Sequence, residues 1–141
     1  TQVEVEITES QWLRADSQQG VQLKRMADAG IRVAVDDFGS GYSNFGYLTE
    51  LPISTLKLDK SLIDRLCLDN RSSVKVEAII GLAHRLGYSV VAEGAESADQ
   101  VSRLRALGCD EIQGFALARP MDPDQLFTGH RRPLLDTHVA E

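Results

Sequence analysis

Three times in this sequence a helical pattern ends on a glycine and a strand-like apolar run begins one to three residues later: Ala29-Gly30-Ile31, Leu86-Gly87-Tyr88 and Leu107-Gly108-Cys109. Glycine is the residue that closes a helix through a left-handed turn, so each triplet reads as a helix stop followed by a strand start. Repeated β/α alternation implies a mainly parallel sheet or barrel. The first strand is expected at Val3-Glu4-Val5-Glu6-Ile7, which alternates with period two. A helix over roughly Gly20 to Ala29 carries Leu23, Met26 and Ala27 on one face, and Ile31 to Val35 follows as the second strand. Leu51-Pro52-Ile53 leads into a third strand, Thr55 to Leu58. Val76, Ile79, Ile80, Ala83 and Leu86 mark a helix over Ser73 to Leu86, and Ser89 to Ala92 is the fourth strand. Ser97 with Gln100 forms a capping box ahead of Val101, Leu104 and Leu107, and Glu111 to Phe115 is the fifth strand.

The residues near the strand ends carry the functional signal. They are Glu6, with Glu9 three further on; the pair Asp36-Asp37; Lys57; Glu93; and Gln113. Strand parity puts each on the face opposite its apolar neighbours: Val5 and Ile7 flank Glu6, and Leu56 and Leu58 flank Lys57. Ligands and chemistry gather at the C-terminal ends of the strands in α/β sheets and barrels. Three carboxylate-bearing strands converging beside a lysine suit a hard cation such as Mg²⁺ or Mn²⁺, which prefers oxygen ligands. Taken singly, such carboxylates read as helix caps or solvated loop residues, and Lys57 as a surface lysine. Five coincident strand ends point instead to a site.

Other features narrow the class. With 15 Lys+Arg against 21 Asp+Glu, the net charge of −6 disfavours a broad nucleic-acid interface. An anionic substrate would need metal cations or a local basic group to draw it in. Cys67 and Cys109 are far apart and form no zinc-type cluster, which fits a reducing compartment. No apolar run reaches the roughly 18 residues of a membrane span, and no signal peptide is recognisable. The turn Gly39-Ser40-Gly41-Tyr42-Ser43 has neither the third glycine of a dinucleotide fingerprint nor a P-loop lysine, and reads better as a mobile loop beside a metal site. His84, His130 and His138 are not at ligand spacing, and the sequon Asn70-Arg71-Ser72 reads as chance.

Glu6-Ile7-Thr8-Glu9, Asp36-Asp37-Phe38-Gly39-Ser40-Gly41-Tyr42-Ser43, Leu56-Lys57-Leu58-Asp59, Val91-Ala92-Glu93-Gly94-Ala95-Glu96 and Gln113-Gly114-Phe115 with Arg119-Pro120 resemble, in order, the C-terminal part of an EAL domain. That family comprises bacterial phosphodiesterases that hydrolyse cyclic di-GMP to linear pGpG on a TIM-barrel-like α/β fold. The resemblance implies that Glu6 and Asp36 are direct metal ligands, that Asp36 bridges two Mg²⁺ or Mn²⁺ ions, and that Asp37 serves the second. Glu93 would hold that second ion or its water, Gln113 would orient a water, and Lys57 would help activate the attacking water as a base or by orienting it. Glu9 resembles the glutamate that anchors the Asp36 to Ser43 loop, which couples dimerisation to metal binding. Asp59 and Glu96 would be supporting or substrate contacts. A homodimer through the stretch Asn44 to Leu48 is also implied.

The Glu-Ala-Leu motif that names the family, and an asparagine ligand on a later strand, are not in this sequence. A complete (β/α)8 barrel takes about 250 residues, so five β/α units cannot close one. With Thr1 in first place, the expectation is a piece of a longer, cytoplasmic signalling protein: residues 1–128 the C-terminal part of the domain, 129–141 a poorly structured tail. Sensory domains and any membrane tether would lie elsewhere in that parent. The parent is expected to be the enzyme. The isolated chain is expected to be inactive, and the alternative is a non-catalytic cyclic di-GMP receptor or dimerisation module.

Overall fold

The computed structural model describes residues 3–8, 16–41 and 47–122. Glu9, Tyr42, Ser43, Asn44 and the expected tail at 129–141 lie outside the described residues. The described chain forms β1 (Glu4–Thr8), α1 (Gln18–Asp28), β2 (Arg32–Phe38), a 3-10 turn (Tyr47–Thr49), β3 (Thr55–Leu58), α2 (Lys60–Arg65), α3 (Asn70–Arg85), β4 (Ser89–Ala92), α4 (Ala98–Ala106) and β5 (Glu111–Ile112). The five strands are parallel and lie in the order β1-β2-β3-β4-β5.

That sequential order has a consequence. Crossovers between parallel strands are right-handed, so a sheet wound in one direction puts all its helices on one face. The core lies on that face. Val33, Val35, Leu56, Leu58, Val90 and Ala92 are buried there against Leu23, Ile63, Val76, Ile80, Val101 and Leu104. Each fully buried Val, Leu or Ile side chain contributes about 1.5–3 kcal/mol. The intervening residues Glu4, Glu6, Asp36 and Lys57 point to the other face, which no described helix covers. This is the wall of a barrel rather than a doubly wound sheet.

Local chemistry sets the boundaries. Gly30 takes φ +82 at the end of α1, and the Ile31 N–H reaches back to the Met26 carbonyl, so β2 starts directly. Gly87 and Gly108 repeat this at the ends of α3 and α4. The helix expected from Ser73 begins at Asn70, because Asp69 caps it by accepting from the Ser72 N–H at 2.7 Å. The capping box of Ser97 and Gln100 is present. The second strand does not stop at Val35; it continues through a bulge at Asp36-Asp37 to Phe38. The fifth strand is shorter than expected and ends at Ile112. Beyond it Gly114 passes so close to the Ala95 backbone that a β-carbon there would sit 2.1 Å from the Ala95 oxygen. No helix among the described residues is long and apolar enough to cross a membrane.

Candidate active site

Four strands deliver their polar residues to one point. The Lys57 Nζ lies 2.7 Å from Glu6 Oε1, 2.8 Å from Glu93 Oε1 and 3.1 Å from Asp36 Oδ1. Parity and register produce the convergence: Glu6 is level with Ala34, Leu56 with Val35, and Lys57 with Val91. Glu93 stands one residue beyond β4, yet its N–H donates to the Leu58 carbonyl at 3.2 Å and continues the ladder. In the same way the Gln113 N–H donates to the Ala92 carbonyl at 2.8 Å. Backbone pairing therefore extends to the residues that bear the chemistry, and their positions are fixed by the sheet rather than by loops.

The bulge separates the two aspartates. Asp37 adopts φ +55, a left-handed conformation uncommon for a residue with a side chain. Asp36 is thereby turned into the cluster while Asp37 is exposed. The Asp36 Oδ1 is buried and accepts no hydrogen bond. Its 3.1 Å approach to the ammonium qualifies as an ion pair by distance, but the direction is wrong for a hydrogen bond, so the contact is electrostatic. Partial burial works against the charge on Lys57, but hydrogen bonding to Glu6 and Glu93 and the nearness of Asp36 outweigh it. The net effect holds Lys57 well above the usual lysine range, as an ammonium.

The remaining anticipated residues fall around this cluster. Gln113 and Glu96 border a cavity of about 310 Å³ that Glu93 shares with the cluster. Glu96 pairs with Lys60 at 3.2 Å. Asp59 is not in the cluster; it caps α2 by accepting from the Ser61 N–H at 3.0 Å. Glu9 lies outside the described residues. Sequence reasoning passes over Lys60, although its i,i+4 spacing to Asp64, an ion pair of 2.6 Å, was a readable signal.

A divalent cation fits this donor set by chemistry: the ligands on offer are carboxylate oxygens, and one of them is buried without a hydrogen bond. The carboxylates face an ammonium, and among the described residues no three His, Cys, Asp or Glu side chains are grouped to hold an ion by themselves.

The sequence profile described as the EAL domain matches residues 1–120. The chain belongs to the EAL domain family. Among its relatives, this EAL chain is 47% identical over 130 residues to a cyclic di-GMP phosphodiesterase of Pseudomonas aeruginosa, covering 92% of this chain and 22% of that protein. The solved EAL domain of Mycobacterium smegmatis DcpA superposes with a TM-score of 0.80 at 36% identity, over 88% of this chain and 56% of that one. Klebsiella pneumoniae BlrP1, solved as a manganese and cyclic di-GMP complex, gives a TM-score of 0.78 at 33% identity, over 84% of this chain and 30% of that one. The EAL chain thus spans about a fifth of the curated relative and about half of the solved domain. Its five-stranded parallel sheet is a sector of a TIM-barrel-like fold.

Proposed function

We propose that the EAL protein carrying this chain hydrolyses cyclic di-GMP to linear pGpG, using two divalent cations, Mg²⁺ or Mn²⁺. The observation that carries the reading is the meeting of Glu6, Asp36 and Glu93 at the Lys57 ammonium, with Asp36 Oδ1 buried and unsatisfied. It is supported by relatives named for that activity and by a manganese and cyclic di-GMP complex of a similar fold. Glu6, Asp36, Asp37 and Glu93 are the residues that would hold the cations. Divalent ions held there would make a bound water more acidic and offset charge on the phosphate. As the ammonium seen here Lys57 assists the attacking water by orienting it, and it could take the water's proton only where bound cations displace its proton, while Gln113 orients a water from the adjoining cavity. Glu9 anchors the loop that follows Asp36, while Asp59 and Glu96 support the site or touch substrate. Residues 1–128 are the C-terminal part of the catalytic domain, within a cytoplasmic homodimer regulated by sensory domains elsewhere in the protein.

For the chain by itself the second reading, a non-catalytic cyclic di-GMP receptor or dimerisation module, is favoured by one observation. The described carboxylates do not form an ion-holding group unaided. The deciding experiment is cyclic di-GMP hydrolysis, with Mg²⁺ and then Mn²⁺, by the 141-residue chain and by the full-length protein. Activity in the full-length protein alone is the expected result, and activity in neither overturns the enzyme reading. In the full-length protein, Asp36→Asn is expected to cut turnover by about two orders of magnitude or more with little change in melting temperature. Unchanged turnover would remove Asp36 from the site.

A further inference from the structure

Asp37 sits at φ +55, a conformation that is costly for a residue with a side chain and persists only where the surroundings impose it. The β2–β3 ladder does not impose it, since its register breaks between Val35 and Phe38. The residues just after the bulge are held firmly. Phe38 is fully buried and its carbonyl accepts from the Asp59 N–H at 3.1 Å, and Gly39 turns at φ +94 beneath the side chain of Leu62. A β-carbon on Gly39 would lie 2.5 Å from Leu62 Cδ1, and the three atoms nearest to that position all belong to Leu62. Leu62 is itself buried and projects from α2, whose start is fixed by the Asp59 cap. Contacts with the chain beyond β4 brace this short helix: the Gln100 Nε2 donates to the Ile63 carbonyl at 3.2 Å, and the Lys60 stem packs against Gly94.

We infer that Leu62 is a positioning residue: by covering Gly39 it keeps the bulge from relaxing, and so holds Asp36 turned into the cluster and Asp37 in its left-handed conformation. The inference rests on the proposal above that Asp36 and Asp37 hold cations, and adds the residue that presents them. Without the Leu62 methyl groups the space over Gly39 empties, Asp37 returns towards ordinary backbone conformations, and the two carboxylates lose their fixed relation. A pair of ligands that must be reorganised before an ion binds holds that ion more weakly. The neighbouring Ile63 provides a comparison within the same six-residue helix. It is fully buried, so its truncation also costs core packing, but none of the three atoms nearest to the Gly39 position is its own.

The test is the Mn²⁺ affinity of the full-length protein, read from the electron paramagnetic resonance signal of the free ion, for wild type, Leu62→Ala, Leu62→Met and Ile63→Ala, each well below its melting temperature. Both alanine variants are expected to melt lower than wild type, since each leaves a cavity in the core. Only Leu62→Ala is expected to raise the Mn²⁺ dissociation constant, by about 10-fold. Leu62→Met keeps a side chain of similar volume over Gly39 and is expected to stay within about 2-fold of wild type. An unchanged dissociation constant in Leu62→Ala, or an equal rise in Ile63→Ala, overturns the role given to Leu62 while the hydrolase reading stands. Cyclic di-GMP hydrolysis by wild type is followed in parallel. Mn²⁺ binding without hydrolysis overturns the hydrolase reading alone, and a wild type that binds no Mn²⁺ overturns both.

Discussion

Lys57 sets one positive charge against three carboxylates, and the balance of that cluster is the residue-scale question. Methionine at position 57 would keep most of the stem volume and remove the charge. Glu6, Asp36 and Glu93 would then repel one another, with Asp36 Oδ1 already out of water. Lys57→Met is expected to lose about 1–3 kcal/mol of stability at pH 7, less than for a fully buried pair because Glu6 is half exposed. Urea unfolding at pH 7 measures this; a midpoint equal to wild type would show the carboxylates to be independently solvated. The convergence was legible in the sequence, since parity alone puts Glu6, Lys57 and Glu93 opposite their apolar neighbours. The bulge that turns Asp36 inward and Asp37 outward was not, because it depends on how β2 meets β3. Lys60 is legible in the sequence only through its i,i+4 spacing to Asp64.

At the scale of elements, Asp110 ties three of them together. Sitting between α4 and β5, its carboxylate accepts from the Val90 N–H of β4 at 2.7 Å and meets His84 Nε2 of α3 at 2.8 Å. Burial alone would raise this carboxyl, but His84 and the Val90 N–H outweigh it and hold it below the usual aspartate range. A carboxyl lowered by folding adds stability above its unfolded pKa of about 4, and that stability is lost as pH falls through the lower folded value. Asp110→Asn is therefore expected to be slightly less stable at pH 7, by about 0.5 kcal/mol given its 42% exposure, with the gap closing as pH falls through the lowered folded-state range. Thermal unfolding of both proteins from neutral to acid pH reads it, and a gap that persists in acid would assign the effect to packing. The helices with periodic apolar faces were readable. α2 was not, because its six residues span too few turns for a pattern, and it forms under Leu62 and Ile63 because the core claims them. The end of β5 was misplaced for a related reason: the close passage of Gly114 against Ala95 is a tertiary contact that alternation cannot foreshadow.

For the whole molecule, the sequential strand order decides what is covered and what is not. All the described helices lie on one face, and the opposite face carries Glu4, Glu6, Asp36 and Lys57, a polar lining that suits a barrel interior at its C-terminal mouth. The number and order of the strands could be read from the helix, glycine and strand punctuation. How the barrel closes could not, because a barrel of this kind needs about eight strands and five stand among the described residues. Among the described residues β1 and β5 each pair on one side only, so each offers a row of backbone groups to another chain. The charge of −6 opposes association weakly, and at about 0.15 M salt it is screened beyond about 8 Å. The 141-residue chain alone is expected to self-associate as its concentration rises from about 1 to 100 μM, in sedimentation velocity at that ionic strength. A single 15.5 kDa species throughout would mean that other residues of the chain shield both edges, and that the site can be presented without a neighbouring half-barrel.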